Sequence, residues 1–255
     1  MKLTPRDQKM IGMISRYGLM STTQIRTRFF PNSSISATRR RLRKLEAKNY
    51  LRRITGHEDG LLGWVVTLFS AKTFAFKAIK TRFNKNTLEH DLAISELRQR
   101  MEASFKIHLW INEHYLKSTK PKHPDAFRKI ADSVPDSLIS VETNAGPRII
   151  ALEMELSRKS KSRYFRIFER YGQRTNVNWI WYIVESEGLG KTLIALWNDF
   201  RARSSELQRM SLGYSVLSSM TQNLRSTEFI QSSSRIPIGR IFVAREPQAV
   251  SPSVT

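Results

Sequence analysis

"PDSLISVETNAGPRIIALEMELSRKSKSRYF", residues 135–165, sets two apolar runs around an Asn/Gly turn and ends in a basic, aromatic segment. The pattern predicts strands in "DSLISVE" and "PRIIALEMEL", with "TNAG" as a hairpin turn, because Asn and Gly tolerate the backbone angles that a tight turn demands. A helix is expected over "KSKSRYFRIFERYGQR". Strand side chains alternate, so Glu153 and Glu155 share one face while Leu152, Met154 and Leu156 take the other. Asp136 opens the paired strand and reaches the same end. Three carboxylates at one sheet edge repel unless a cation joins them. Oxygen ligands alone favour Mg²⁺ or Mn²⁺ over Zn²⁺. Such an ion polarises a phosphodiester and lowers the pKa of an attacking water. Lys159 or Lys161, just downstream, is the ammonium expected to stabilise the developing charge. The competing explanation is a structural ion-pair network of these acids with Arg158, Lys159 or Arg163.

Outward from this stretch, the chain alternates strands and helices. "VNWIWYIVE" reads as a buried central strand and "GLGKTLIALWNDFRAR" as a helix. Upstream, "TLEHDLAISELRQRMEA" reads as an amphipathic helix burying Leu92, Ile94 and Leu97, followed by a strand in "FKIHLWI" and a loop in "KSTKPKHPDAFRKI". From about residue 204 the chain is Ser-rich, with one strand expected in "GRIFVA". The expectation for 86–245 is a mixed α/β domain, a sheet flanked by helices. Residues 246–255 are expected to form a disordered tail.

Residues 1–85 read differently. Thr4, Pro5 and Asp7 mark a helix start and Gly18 its stop, with Met10, Ile11, Met13 and Ile14 as the apolar stripe. "STTQIRTRFF" predicts a short second helix. "PNSSISATRRRLRKLEAKNYL" predicts a third, with Ile35, Leu42 and Leu45 on one face and Arg39, Arg40, Arg41, Arg43 and Lys44 on the other. "LRRITGHEDGLLGWVVTLF" reads as a strand hairpin. Helix, helix, basic helix and hairpin is the order of a winged helix-turn-helix, whose third helix enters the major groove. Ser36, Thr38 and the arginines of that helix, with Arg52 and Arg53 in the hairpin, are the expected contacts to bases and phosphates. A helix over 70–82 and a polar linker near 83–87 are expected to end this domain.

Charge supports a polyanionic partner, expected to be double-stranded DNA. The chain of 255 residues carries a formal charge of +21. Residues 1–85 hold 19 Lys/Arg against 4 Asp/Glu, and the other 170 hold 24 against 18. Most of the excess sits in one third of the chain, which is unlike a generic solubility charge. There is no cysteine, which excludes disulfides and thiolate metal sites. No apolar run of transmembrane length and no signal-peptide core occur, so no membrane association and a cytoplasmic location are expected.

Pro135-Asp136, the hairpin, and Glu153-Met154-Glu155 resemble the PD-(D/E)xK nuclease motif. That resemblance implies a restriction-endonuclease-like domain in which Asp136 and Glu153 bind metal. Glu155 stands where the motif has lysine, an ExE variant, and the resemblance lets Lys159 or Lys161 substitute from the neighbouring segment. More of the chain resembles the replication-relaxation family of plasmid and mobile-element proteins, which includes relaxases of the mobilisation protein C type. The resemblance rests on the N-terminal segment, on "EHDLAISELR" with His90, and on "PDSLI…ALEMELSRKSKSRYFRIFERY". It implies binding at an origin region and, for some members, strand nicking at a transfer origin; for others it implies a role as DNA-binding replication or regulatory factors.

Several residues have two readings. His90 either orients a carboxylate or contacts phosphate at the start of its helix, or is an ordinary packed or capping histidine. Tyr164 and Tyr171, seven apart, are read as core or DNA-stacking aromatics, with the nucleophile of a nicking enzyme as the alternative. Gln173 is a candidate accessory group. Arg163 is a candidate DNA contact. No histidine pair has metal-ligand spacing, and "EGLGKT" lacks the first glycine of a phosphate-binding loop. A homodimer and other relaxosome or replication proteins are further possible partners. The alternative function is a non-catalytic DNA-binding regulator; an RNA-binding factor is a weaker third.

Overall fold

The structure, a computed structural model, describes residues 2–55, 62–77, 79, 80, 83, 87–118, 134–172, 176–203 and 207–246. The tip of the expected hairpin at 56–61, much of the linker, most of the loop after 118, Gln173 and the tail beyond 246 lie outside these residues.

The chain opens with α1 (Pro5–Tyr17), β1 (Met20–Ser21), α2 (Thr22–Phe29), α3 (Ile35–Ala47), β2 (Leu51–Thr55) and β3 (Leu62–Val66). Local sequence explains the starts and stops. Thr4 and Asp7 form a reciprocal capping box, Ser21 and Gln24 a second, and Ser34 caps α3. Gly18 ends α1 at φ +86°, a left-handed backbone that favours glycine. The three strands pair in the order β1-β3-β2, and Met10, Ile14, Ile25, Leu42, Leu45 and Trp64 fill the space between helices and sheet. β1 is a two-residue strand that hydropathy patterning does not reveal.

A short α4 (Leu68–Thr73) follows. The expected helix over 70–82 is corrected: it starts earlier and stops at Thr73. Phe74 already leaves helical geometry and Ala75 takes φ +53°, which a continuing helix cannot accommodate.

The rest is built on one seven-stranded mixed sheet, with strand order β10-β9-β8-β7-β6-β5-β4. Its strands are β4 (Ile107–Asn112), β5 (Ser137–Thr143), β6 (Gly146–Glu155), β7 (Trp179–Val184), β8 (Ser211–Val216), β9 (Glu228–Ile230) and β10 (Arg235–Pro237). β6, β7 and β8 run parallel, and the outer pairs are antiparallel. Parallel neighbours need crossovers, supplied by α7 (Lys161–Gly172) and α8 (Glu187–Arg201). Both pack on one face, with Ala151, Ile180, Tyr182 and Val184. The other face, with Ile150, Leu152, Met154, Trp181 and Ile183, is covered by α5 (Leu88–Ser104) and by short turns at α9 (Leu217–Gln222) and α10 (Ile238–Ile241). β7 is therefore covered on both faces, which explains its unbroken apolar run. A single-turn α6 (Glu113–Ser118) follows β4.

α5 differs from expectation. It is not simply amphipathic, because Leu88 and Leu92 pack with Leu19, Ile54 and Val65, whereas Ile94, Leu97 and Met101 pack on the large sheet. The helix lies between both halves. Tyr17 donates to Glu102 (2.6 Å), Asn112 to the Tyr17 carbonyl (2.7 Å) and Gln24 to the Leu92 carbonyl (3.0 Å) across the same junction.

The C-terminal segment is also corrected. "GRIFVA" is not a strand: Gly239–Ile241 complete the turn α10, and Phe242 and Ala244 make isolated bridges to Thr143 and Phe105. The strands fall instead at β8, β9 and β10. No helix of the described residues is long and apolar enough to cross a membrane.

Candidate functional site

The antiparallel register pairs Ser137 with Leu152. Extending it one residue sets Asp136 across from Glu153, with Glu155 two residues further along the same face. The acids that alternation assigned to one face thus meet at the C-terminal end of β6, where the chain turns into α7. The turn that fixes this register is Asn144-Ala145, closed by Gly146 at φ +92°; the positive φ falls on the glycine that follows the turn.

These residues line a cleft of about 1150 Å³. Each carboxylate has protein partners. Asp136 Oδ2 accepts from the Met154 N–H (2.8 Å) and meets His90 Nε2 at 3.1 Å. Glu153 accepts from the Tyr171 hydroxyl. Glu155, with only 3% of its side chain exposed, is ion-paired with Lys159. Burial is the largest influence on Glu155 and pushes its carboxyl up; Lys159 offsets this only in part, and the charge of Asp136 adds to it. Lys159 also donates its backbone N–H to the Tyr164 hydroxyl (3.0 Å).

His90, in the first turn of α5, stands between two acids. Its Nδ1 lies 3.5 Å from Asp91, which is itself paired with Lys80. Burial pulls the imidazole pKa down, but the bonds and charges of Asp136 and Asp91 outweigh it and carry it up to about 10. At that value His90 is an imidazolium at neutral pH, bonded to Asp136.

Tyr164 and Tyr171 are fully buried on α7. They are core residues that also support the acids. Tyr182, opposite Glu153 on β7, was not singled out by sequence. Its hydroxyl is buried without a hydrogen-bond partner among the described residues, and burial first, then the charges of Glu153 and Glu155, raise its pKa well above the ordinary value. Lys161 leaves the cluster: its ammonium lies 3.1 Å from Asp199 on α8. Lys159 and Arg163 remain in the cleft.

Asp136, Glu153 and Glu155 offer only oxygen donors, so in kind they fit a hard divalent cation. As placed they are engaged with protein groups. Among the described residues no three His, Cys, Asp or Glu side chains stand together as a metal-holding group.

On α3, Ser36, Arg39, Arg40, Arg43 and Lys44 are exposed, as are Arg52 and Arg53 on β2. Two expected contacts are corrected. Thr38 is fully buried, and its hydroxyl donates to the Ser34 carbonyl (3.1 Å), so it faces the core. Arg41 turns back to α1 and forms an ion pair with Asp7, which is fully buried. Arg53 also carries a partner, Glu46, at 2.9 Å.

These features define a mixed α/β protein with a basic helical N-terminal segment and a carboxylate cleft at the end of its central strands. Compared with protein families, residues 11–177 match the replication-relaxation model. The chain belongs to the replication-relaxation family, and membership points to a role in replication or mobilisation. The match runs from α1 through the carboxylate hairpin and α7 and stops just before β7. No curated protein and no solved structure matches significantly.

Proposed function

We propose that this protein is a DNA-binding, metal-dependent endonuclease or nickase of the relaxase kind, acting at an origin region of a plasmid or mobile element. The observation that carries this reading is the convergence of Asp136, Glu153, Glu155 and Lys159 in one cleft beside exposed arginines. In this reading α1 to β3 form a winged helix-turn-helix that holds duplex DNA through the exposed cations of α3. The seven-stranded sheet with its ExE hairpin is a restriction-endonuclease-like domain. A divalent cation, Mg²⁺ or Mn²⁺, when bound by Asp136, Glu153 and Glu155, supplies a polarised phosphodiester and an acidified water. Glu155 would have to give up its Lys159 partner to hold such an ion, which would leave the ammonium available to phosphate oxygens. His90 keeps Asp136 oriented, and Tyr171 does the same for Glu153.

The test is relaxation of supercoiled plasmid carrying the native origin region, with Mg²⁺ or Mn²⁺, by wild type and Glu153→Ala. Relaxed circles from wild type alone are expected. A second reading, a regulator without cleavage, is favoured by the ion pair that already occupies Glu155. Retained DNA binding with no relaxation by either protein would select it. Equal relaxation by both would remove Glu153 from the chemistry.

A further inference from the structure

α7 adds something to the cleft that its carboxylates do not require. Arg163, Arg166 and Arg170 fall three and four residues apart, which puts them on one stripe of the helix. All three are exposed and line the cleft, and Arg158 joins them from the preceding turn. None of the four has an ion-pair partner among the described residues, although Glu169 is next in sequence to Arg170. The helix faces otherwise explain themselves: Tyr164, Phe168 and Tyr171 are buried against the sheet. The arginine stripe is thus a solvent-exposed basic wall, from which Arg163 also acts electrostatically on Glu155.

The other elements lining the cleft have the opposite character. On α5, Asp91 neutralises Lys80 and, with Asp136, holds His90. On α6, Glu113 neutralises Lys117. Glu89 is exposed and has no cation among the described residues. The lysines lining the cleft are thus tied to acids, and the α7 wall is left to attract a phosphodiester backbone. The stripe from Arg163 to Arg170 rises about 10 Å along the helix axis, which suits roughly two or three phosphates of one strand. Arginine forks also suit phosphate oxygens better than lysine does.

We propose that the α7 arginine wall is a binding track for the backbone of a single unpaired DNA strand, separate from the duplex-binding face of α3, which leads that strand past the carboxylates. This rests on the reading of the cleft as a nucleic-acid site, but not on cleavage.

The experiment measures binding of a short fluorescein-labelled oligodeoxythymidine, and of a mixed-sequence duplex of equal length, by anisotropy across a salt series in EDTA. The full chain is compared with the triple variant Arg163→Ala/Arg166→Ala/Arg170→Ala and with Arg39→Ala/Arg40→Ala/Arg43→Ala. The α7 variant is expected to lose about tenfold in single-strand affinity, and its log–log salt slope to shrink by about 2, at ~0.7 per phosphate contact. Its duplex affinity is expected to stay within about twofold, and the α3 variant to show the reverse. An α7 triple lysine variant, which keeps the charge, is expected to retain most single-strand binding and guards against misfolding. Unchanged single-strand affinity in the α7 alanine variant overturns the proposal, as does an equal loss on both probes. Because EDTA removes divalent ions, failure to relax plasmid would strike the cleavage reading and leave this one standing.

Discussion

Arg40 and Arg41 are neighbours in sequence and opposites in role. Arg41 neutralises a carboxylate that burial alone would raise, and with Thr4 it holds Asp7 below the usual range. Arg40 ends in solvent. Removing Arg41 leaves Asp7 buried without its cation, so Arg41→Ala is expected to destabilise the fold by about 1–3 kcal/mol, below the cost of losing a fully buried pair because Arg41 is partly exposed. Arg40→Ala is expected to stay within about 0.5 kcal/mol. Urea unfolding of the two variants checks this; equal stability would mean that Thr4 alone satisfies Asp7. The sequence showed five cations on α3 but not which one turns inward, because that depends on where α1 lies. The carboxylates were more legible. Alternation along a strand is a rigid rule, so Glu153 and Glu155 could be placed on one face from spacing alone. Their partners could not, since the bond from Tyr171 needs the packing of α7 on the sheet, and the ion pair to Lys159 needs the conformation of the turn between.

Elements with strong local signals were legible, and those without were missed. β7 and the β5–β6 hairpin have long apolar runs and a Gly turn, and α1 to α3 have caps. β9 and β10 are three residues each, around a serine-rich turn and a proline, and they exist because β8 offers them an edge. "GRIFVA" has strand composition, but its backbone is held elsewhere: the Ile238 and Gly239 N–H groups bond the carbonyls of Thr227 and Arg225. α5 looked like a one-sided helix because two half-patterns overlap in it. The junction it makes contains His114 on α6, whose ring packs where a side chain on Gly18 would project. Burial, then the charge of Lys80, lowers the His114 pKa to about 4. A histidine with a depressed folded pKa gives stability that is complete above its unfolded value near 6.5 and is lost as pH falls toward its folded value. Stability is therefore expected to drop by about 3 kcal/mol between pH 6.5 and 4, at ~1.4 kcal/mol per unit. His114→Gln is expected to flatten that window, leaving the acid loss of Asp7 and Asp91, whose lowered pKa values act below it. Melting temperatures across the pH series report both; an unchanged slope in the variant would assign the acid sensitivity to other groups.

The whole molecule carries a charge of +21, and a field of that size binds DNA without any dedicated surface. Placement, rather than total, is what can be tested. Arg39, Arg40, Arg43 and Lys44 are exposed on one helix face, whereas Lys191, on the second crossover helix, is tied to Glu187 at 3.3 Å. If α3 is the duplex face, four or five phosphates are neutralised there, and the log–log dependence of duplex affinity on salt has a slope of about −4. Arg40→Ala then lowers affinity on every sequence and reduces the slope by about 1. Ser36, exposed in the first turn of α3, behaves differently: Ser36→Ala leaves the slope alone and shifts the preference between origin and unrelated duplex. Lys191→Ala changes neither. Binding isotherms on the two duplexes across a salt series separate these outcomes. If Arg40→Ala and Lys191→Ala reduce the slope equally, the charge acts as a diffuse field and α3 is not a recognition helix. If only Arg40→Ala does, the basic third of the chain is a directed surface, and the cleft beside the first turn of α5 receives DNA already positioned.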